Sequence, residues 1–468
     1  MAKIAIIGAG SLVFGKAFLN DLLGVAILDG CEIALMGPTE GKLKAAAGYV
    51  GRAVGINGLR TEVRHTTDLR EAVRGADYVI ATFGVGPDMA RVDKEVPARY
   101  GVDQIIGDTL GPGGVFRAAR TAPAMMRLAE EVARCASPDA VILNYVNPMA
   151  IMCLTLGRHT DVRFVGLCHG VQTTLGLIAK YTGVDKAAID YHCAGINHMA
   201  WFLEIKSGGA DLYPVLRENI ERPEYYLSEK VRCEVMRQFG YFMTESTDHL
   251  SEYLYWFRKS RESLGEYCDM PIFNIKKSGG GKAAPANPDI YAAETGELEP
   301  RSEEYCSHII EAMEGGGIFK FNGNFMNDGY VANLPADSCV EVPAYADRTG
   351  MHPTRVGSLP PQLAALNQSN VTVQSLAAEA AHAGDPELLF SAVAMDPLTS
   401  AVLTLREARE MVGEMLEAQR GYLPQFGGRS LRKVHKVEIP VGTVGVEIPV
   451  DPALAVAKRI ERLIGGQG

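Results

Sequence analysis

The sequence predicts an α/β protein, a parallel sheet fused to a second, α+β domain. Three observations lead there. As far as His198, apolar runs of strand length alternate with amphipathic helical stretches, the pattern of a parallel sheet covered by helices. The first of those runs passes straight into the glycine turn Gly8-Ala9-Gly10-Ser11. After His198 the alternation is lost, and long helical stretches dominate among a few strand-like ones. The division expected is residues 1–195 as a dinucleotide-binding domain and 196–468 as an α+β domain for substrate binding and oligomerisation.

In chain order, Lys3-Ile4-Ala5-Ile6-Ile7 is apolar after Lys3 and reads as a buried strand. The glycine turn follows, then a helical face of Leu12, Phe14, Phe18, Leu22 and Leu23. A strand, a glycine turn and a helix open a Rossmann-type unit, in which glycines let the backbone approach a pyrophosphate at the helix N-terminus. The fingerprint is partial, because Gly15 lies beyond the usual third glycine. The second strand, 31–36, ends at Gly37-Pro38-Thr39. An acid often stands there to bond the adenine ribose. Its replacement by Gly37 leaves NADP, or loose cofactor binding, open beside NAD.

Further strands are expected at 62–65 and 77–83, the latter ending in a second glycine loop, Gly84-Val85-Gly86. Arg91 and Asp93 begin a polar helical stretch that faces either a ligand or solvent. A tight loop at 108–114 precedes an amphipathic helix at 115–136. Strand 141–146 ends in Asn147-Pro148-Met149, where Asn147 either orients a ligand's hydroxyls or bonds its own turn. Strand 163–167 delivers Cys168 and His169 to the same edge. Four strand ends thus converge on one crevice, the place where open α/β sheets bind ligands. Gly8, Gly10, Ser11, Thr82 and Asn144 are the expected cofactor contacts. The thiolate of Cys168 and the imidazole of His198 suit a borderline divalent metal. Each has a plainer alternative, a buried small hydrophobe and a hydrogen-bonded core histidine.

In the second half a strand is expected at 200–205, with helices at 230–239 and 249–258. A basic glycine loop carries Lys276, Lys277 and Lys282. A helix at 302–314, a strand at 318–321, helices at 361–383 and 397–419, a β-hairpin at 437–450 turning at Gly442-Thr443, and a helix at 452–464 complete the chain. No internal repeat is visible. A net charge of −10 argues against nucleic acid as a partner of the surface as a whole. No charged and apolar leader opens the chain, and no apolar run is long enough to span a bilayer. Nine scattered cysteines without a Cys-x-x-Cys pair fit a reducing cytoplasm.

These stretches together resemble glycoside hydrolase family 4, the NAD- and metal-dependent glycosidases. The resemblance rests on Gly8 to Ser11, Asp108 to Gly114, Leu143 to Ala150, Gly166 to His169, Cys193 to Ala200, Gly240 to Ser246, Asn333-Leu334-Pro335 and Cys339 to Pro343. The Cys168-His169 pair is similar to the non-phosphorylated α-glycoside members, the bacterial α-galactosidases above all. The family's chemistry differs from the usual two-carboxylate scheme. The resemblance implies oxidation of the sugar at carbon 3 by NAD and removal of the proton on carbon 2 with help from a divalent metal, usually manganese. Elimination of the aglycone, water addition and return of the hydride follow.

Carried over, Cys168 and His198 ligate the metal, and Asn147 binds sugar hydroxyls. Tyr253 takes the place of the base, and His169 that of the general acid or of a hydroxyl contact. Arg91 and Asp93 match a segment near the substrate. A homodimer or homotetramer is expected. Two alternatives stand beside the neutral α-hexoside. One is an α-hexuronide, suggested by Gly170 after His169 and by the basic glycine loop. The other, of a different class, is a NAD-dependent 2-hydroxy-acid dehydrogenase, in which Cys168 and His198 have no role.

Overall fold

The computed structural model describes residues 1–10, 15–268, 291, 294–446, 449, 451, 452, 455, 456 and 459–461. Its first half is β1 (Lys3–Ile7), α1 (Gly15–Leu23), β2 (Glu32–Met36), α2 (Glu40–Asn57), β3 (Glu62–Thr66), α3 (Leu69–Val73), β4 (Tyr78–Ala81), α4 (Met89–Arg99), α5 (Gly111–Cys135), β5 (Val141–Asn144), α6 (Met149–His159), β6 (Arg163–Gly166) and α7 (Gly170–Thr182). The six strands are all parallel, in the order β3-β2-β1-β4-β5-β6. Alternate side chains of β1 serve two cores: Ile4 and Ile6 pack on one face of the sheet, Ala5 and Ile7 on the other. Ile7 pairs with Ala81, Ala81 with Asn144, and Asn144 with Gly166. The strands therefore end level, and the residues that follow them form one edge.

Beyond β6 the sheet turns antiparallel. It continues through β10 (Phe319–Met326), β11 (Cys339–Asp347), β7 (Asp190–Ile196), β8 (Met199–Ser207) and β9 (Ala210–Asp211), with β12 (Gly350–Pro353) paired to β11. The join is narrow: Asn324 pairs with Gly166 and donates its amide to that residue's carbonyl at 3.3 Å. The antiparallel pair β7 and β8 turns at Asn197-His198, so the fold carries His198 on a hairpin tip. Helices α8 (Tyr213–Ile220), α9 (Pro223–Ser228), α10 (Lys230–Phe239), α11 (Thr247–Ser251) and α12 (Arg261–Tyr267) follow. The long helix Pro361–Ala383 packs against α5 and α6. There Asn367 accepts the indole N–H of the fully buried Trp201 at 2.6 Å.

Several expectations are corrected. β7 and β11 were not foreseen as strands. The helix expected over 249–258 is only Thr247–Ser251. It stops because the next residues turn their polar groups inward: Glu252 accepts the backbone N–H of Ile106 at 2.7 Å and of Gly107 at 2.9 Å, and Arg258 donates to the carbonyl of Asp103 at 2.7 Å. The stretch 397–419 is two helices, Pro397–Val402 and Leu405–Ala418, because Thr404 and Glu407 form a capping box that starts the second. No strand occurs among the described residues of 437–450, where Val437, Ile439 and Val441 are exposed. The stretch 452–464 is helical at its described residues 452, 455, 456 and 459–461. Met1–Leu431 forms one compact unit and Arg432–Gly468 a second. No described helix is long and apolar enough to cross a membrane.

The start of α5 fixes the loop 107–110. A Cβ on Gly114 would lie 2.3 Å from the carbonyl carbon of Thr109, and one on Gly113 would lie 2.5 Å from the carbonyl oxygen of Gly107. Only glycines let helix and loop meet so closely. Gly114→Ala is expected to cost about 1–3 kcal/mol, read as a fall in thermal midpoint with the circular dichroism of the native fold retained. An unchanged midpoint would show that the loop yields freely.

Candidate active site

Two cavities open along the level strand ends. One, of about 590 Å³, runs over the glycine turn and is lined by Gly8, Gly10, Gly37, Lys42 and Thr82, among others. The turn is seated by the N–H groups of Gly8 and Ala9, which donate to the carbonyl of Met36 at 2.8 and 3.1 Å. The other cavity, of about 670 Å³, is lined by Cys168, His169, Lys180, His198, Glu245 and His249, among others. Asp108, Tyr145 and Asn147 line both. Asn147 Nδ2 donates to Asp108 Oδ2 at 3.2 Å.

In the second cavity His198, Glu245 and His249 each offer a donor atom within 4.8 Å of the others, and a fourth donor, Cys168, stands beside His198. Cys168 Sγ, after β6, lies 3.4 Å from Nδ1 of His198 on the hairpin tip. Glu245 Oε2 lies 3.4 Å from the same Nδ1 and 3.5 Å from Nδ1 of His249 on α11. Donors around a four-coordinate divalent ion, with bonds of about 2.0–2.3 Å, stand roughly 3.3–3.8 Å apart, and the spacings of Glu245 to both histidines and of Cys168 to His198 match that range. The chemistry fits too: one sulfur and two nitrogens suit a borderline ion such as zinc, and the carboxylate oxygen suits a harder one such as manganese.

The charges alternate along this run. Burial works against ionisation of Asp108 and Glu245, yet the histidines beside them hold both carboxyls well below the usual range. Burial alone would lower His249, but hydrogen bonds to Asp108 and Glu245 raise it to about 10. His249 Nε2 reaches Asp108 Oδ1 at 3.3 Å. Burial lowers His198 to about 4 and pushes the Cys168 thiol up, with Glu341 and Glu245 adding to the rise. A neutral imidazole is the form that ligates, which His198 already has, whereas His249 would have to give up its Nδ1 proton to bind an ion.

Glu245 is held from behind. Its φ of 136° is the one positive value at a non-glycine among the described residues. Arg232 on α10, almost fully buried, donates Nε to the Glu245 carbonyl at 2.6 Å. Glu229, at the start of α10, accepts the backbone N–H and hydroxyl of Thr247 at 2.9 and 3.0 Å. Both ends of a strained turn are thus tied to one helix.

Residues 3–184 match the profile described as family 4 glycosyl hydrolase, and residues 193–399 match that of the family 4 glycosyl hydrolase C-terminal domain. The chain belongs to glycoside hydrolase family 4. It is 37% identical to an alpha-galactosidase of Rhizobium meliloti, covering 91% of this chain and 89% of that protein. It is 36% identical to an alpha-galactosidase of Bacillus subtilis, covering 91% and 100%, and 28% identical to an alpha-galacturonidase of Lachnoclostridium phytofermentans, covering 90% and 97%. The crystal structure of lplD from Bacillus subtilis superposes with a TM-score of 0.77 at 26% identity, over 89% of this chain and 100% of that one. A 6-phospho-alpha-glucosidase from gut microorganisms, solved with NAD and Mn2+, shares the fold at a TM-score of 0.72 and 20% identity, over 90% and 99%.

The structure brings together Gly8, Gly10, Thr82 and Asn147 in the glycine cleft, and Cys168, His169, His198 and Asn147 in the other cavity. His169 is half-exposed, with Nδ1 3.7 Å from Glu304 Oε1. Ser11 lies outside the described residues, as do Lys276, Lys277 and Lys282. Asn144 lines neither cavity: it is fully buried, accepting the N–H of Val146 at 3.0 Å and turning Nδ2 to the Met149 sulfur. Arg91 is exposed beside Glu95, and Asp93 is buried in a two-pronged pair with Arg120 at 2.9 and 2.6 Å. Neither lines either of these two cavities. Tyr253 is 1% exposed, and its hydroxyl meets His249 Nε2 at 3.2 Å, outside the cavity lining.

Asp108, Glu245 and His249 were not singled out from the sequence, although the signal existed: Glu245 and His249 stand four apart, the spacing that brings side chains together around a helical turn. The burial of Tyr253 yields a prediction. Tyr253→Phe is expected to lower stability by about 1 kcal/mol and turnover by less than about tenfold, whereas loss of a general base costs ~10²–10⁴. Steady-state rates on an aryl glycoside separate the two.

Proposed function

We propose that the chain hydrolyses α-linked hexopyranosides, most like an α-galactosidase, using NAD and a divalent metal, manganese foremost. The route is transient oxidation at carbon 3, elimination, and water addition. The observation that carries this reading is the wall of Asp108, Tyr145 and Asn147 common to the glycine cleft and to the cavity of the four donors. A sugar against that wall lies beside both places. The two alpha-galactosidases at 36 and 37% identity favour the galactoside.

When bound, the dinucleotide supplies a hydride acceptor, and the metal supplies positive charge next to the sugar's hydroxyls. Gly8, Gly10 and Thr82 would hold the first. Cys168, His198, Glu245 and His249 would hold the second. Asn147 and Asp108, already bonded to each other, orient the hydroxyls. His169, steadied by Glu304, donates its proton to the leaving oxygen at the half-exposed mouth. Tyr253 acts through His249, fixing its ring, and does not touch the sugar. Arg91 and Asp93 take no part. Division of labour between residues 1–195 and 196–468, assembly as a homodimer or homotetramer, and a cytoplasmic setting belong to the same proposal. All nine cysteines are free thiols, and Cys168 must stay reduced to ligate.

An α-hexuronide is the second reading, favoured by Lys180 and Arg232 on the cavity lining. A 2-hydroxy-acid dehydrogenase gives the four donors no task and would accumulate NADH, which a glycosidase returning its hydride does not.

Cys168→Ser should keep the fold and lower manganese affinity by more than about tenfold, with loss of most turnover, because a neutral hydroxyl replaces an anionic thiolate. Wild-type turnover of the variant in chelator would remove the metal assignment. A panel of nitrophenyl α-glycosides, run with NAD, manganese and a thiol reductant, tests the sugar. Substrate deuterated at carbon 2 is expected to lose label to solvent during turnover, followed by mass spectrometry. Full retention of deuterium excludes the elimination route.

A further inference from the structure

The wall of the glycine cleft next to β2 lacks the acid that fixes a plain adenine ribose in this kind of sheet. Its residues are Gly37, Pro38, Thr39 and Lys42. We propose that this cleft takes the 2′-phosphorylated dinucleotide, NADP, at least as tightly as NAD. The inference rests on the cofactor reading above and decides which dinucleotide the cleft selects.

Gly37 is not demanded by the backbone. Its φ is ordinary, and a Cβ there would meet only the Leu43 side chain at 3.5 Å and the Gly10 nitrogen at 3.7 Å, both normal contacts. A side chain would fit, beside the glycine turn, and an aspartate at this position would face the ribose. Its absence removes both a hydroxyl acceptor and the negative charge that repels a 2′-phosphate. In its place stands a cation. The Lys42 stem packs on Gly10, its Cβ 3.3 Å from where a Cβ on that glycine would be. Lys42 is half-buried on the cleft lining, and among the described residues its ammonium has no hydrogen-bond or ion-pair partner. Lysine is a compact point charge well suited to phosphate. Thr39 adds a hydroxyl: it caps α2 without a side-chain capping bond, so its oxygen is not committed to the helix. The first turn of that eighteen-residue helix contributes the favourable end of its dipole. The nearby acid, Glu40, does not line the cleft and is turned to His65 and Lys44, each at 3.4 Å.

The test is direct titration of the full chain with NAD and with NADP, by calorimetry, on wild type, Lys42→Ala and Gly37→Asp. Expected are wild-type binding of NADP equal to or tighter than that of NAD, a loss of about tenfold in NADP affinity in Lys42→Ala with NAD changed less than about twofold, and a larger loss for NADP than for NAD in Gly37→Asp. Wild-type binding of NAD tighter than NADP overturns the inference while leaving the cofactor reading in place. So does an equal effect of Lys42→Ala on both dinucleotides. Failure of wild type to bind either one removes the cofactor reading and this inference together.

Discussion

Asp108, His249 and Glu245 form one part-buried run of charges in which each member is tolerable only because of the next, with the neutral imidazole of His198 beside Glu245. A carboxylate alone at such a depth costs several kcal/mol. Here His249 is charged because it lies between two carboxylates, and the carboxylates stay ionised because His249 lies between them. The condition is geometric as well as electrical. Asp108 belongs to the loop before α5, Glu245 and His249 to the turn and helix after α10, and His198 to the hairpin tip between β7 and β8. None can move away without stranding another. Much of the surrounding polar structure is explained by that requirement. Glu252 ties down the loop before Asp108, and Arg232 and Glu229 tie down the turn of Glu245.

The sheet makes the convergence possible. Six parallel strands end level and supply a glycine cleft, as in many dinucleotide-binding proteins. The antiparallel strands that follow extend the same sheet past β6 and bring back a hairpin whose tip reaches the parallel edge. Cys168 comes from the parallel part and His198 from the antiparallel part, yet they meet at 3.4 Å. A division at residue 195 falls inside this hairpin's first strand, so the donor cavity draws on residues from both sides of it.

The parallel strands were legible in the sequence because strands buried on both faces are written as apolar runs, as Lys3–Ile7 and Val141–Asn144 are. β7 was not, because Asp190-Tyr191-His192 are polar or aromatic where the strand begins and Gly195 suggested a turn. Cys168 and Asn147 were legible from residue type and their place after strands, and His198 from residue type. Asn144, expected to touch the cofactor, lies three residues before Asn147, inside the strand, where its side chain turns into the core. Glu245 and His249 escaped notice because a carboxylate and a histidine in a polar stretch look like any solvated pair until burial is known. Tyr253, taken from the resemblance, meets His249 from behind the cavity lining.

The wall shared by the two cavities has a consequence for the order of events. On the proposed reading, the sugar rests on Asp108, Tyr145 and Asn147 from one side while the dinucleotide rests on them from the other. A sugar already seated narrows the other guest's path in and out. The dinucleotide is then the first to arrive and the last to go. It behaves as a resident part, reduced and restored in place, while sugars pass through one after another. The fraction of chains carrying it, and not its concentration in the surroundings, then sets how much of the protein is at work.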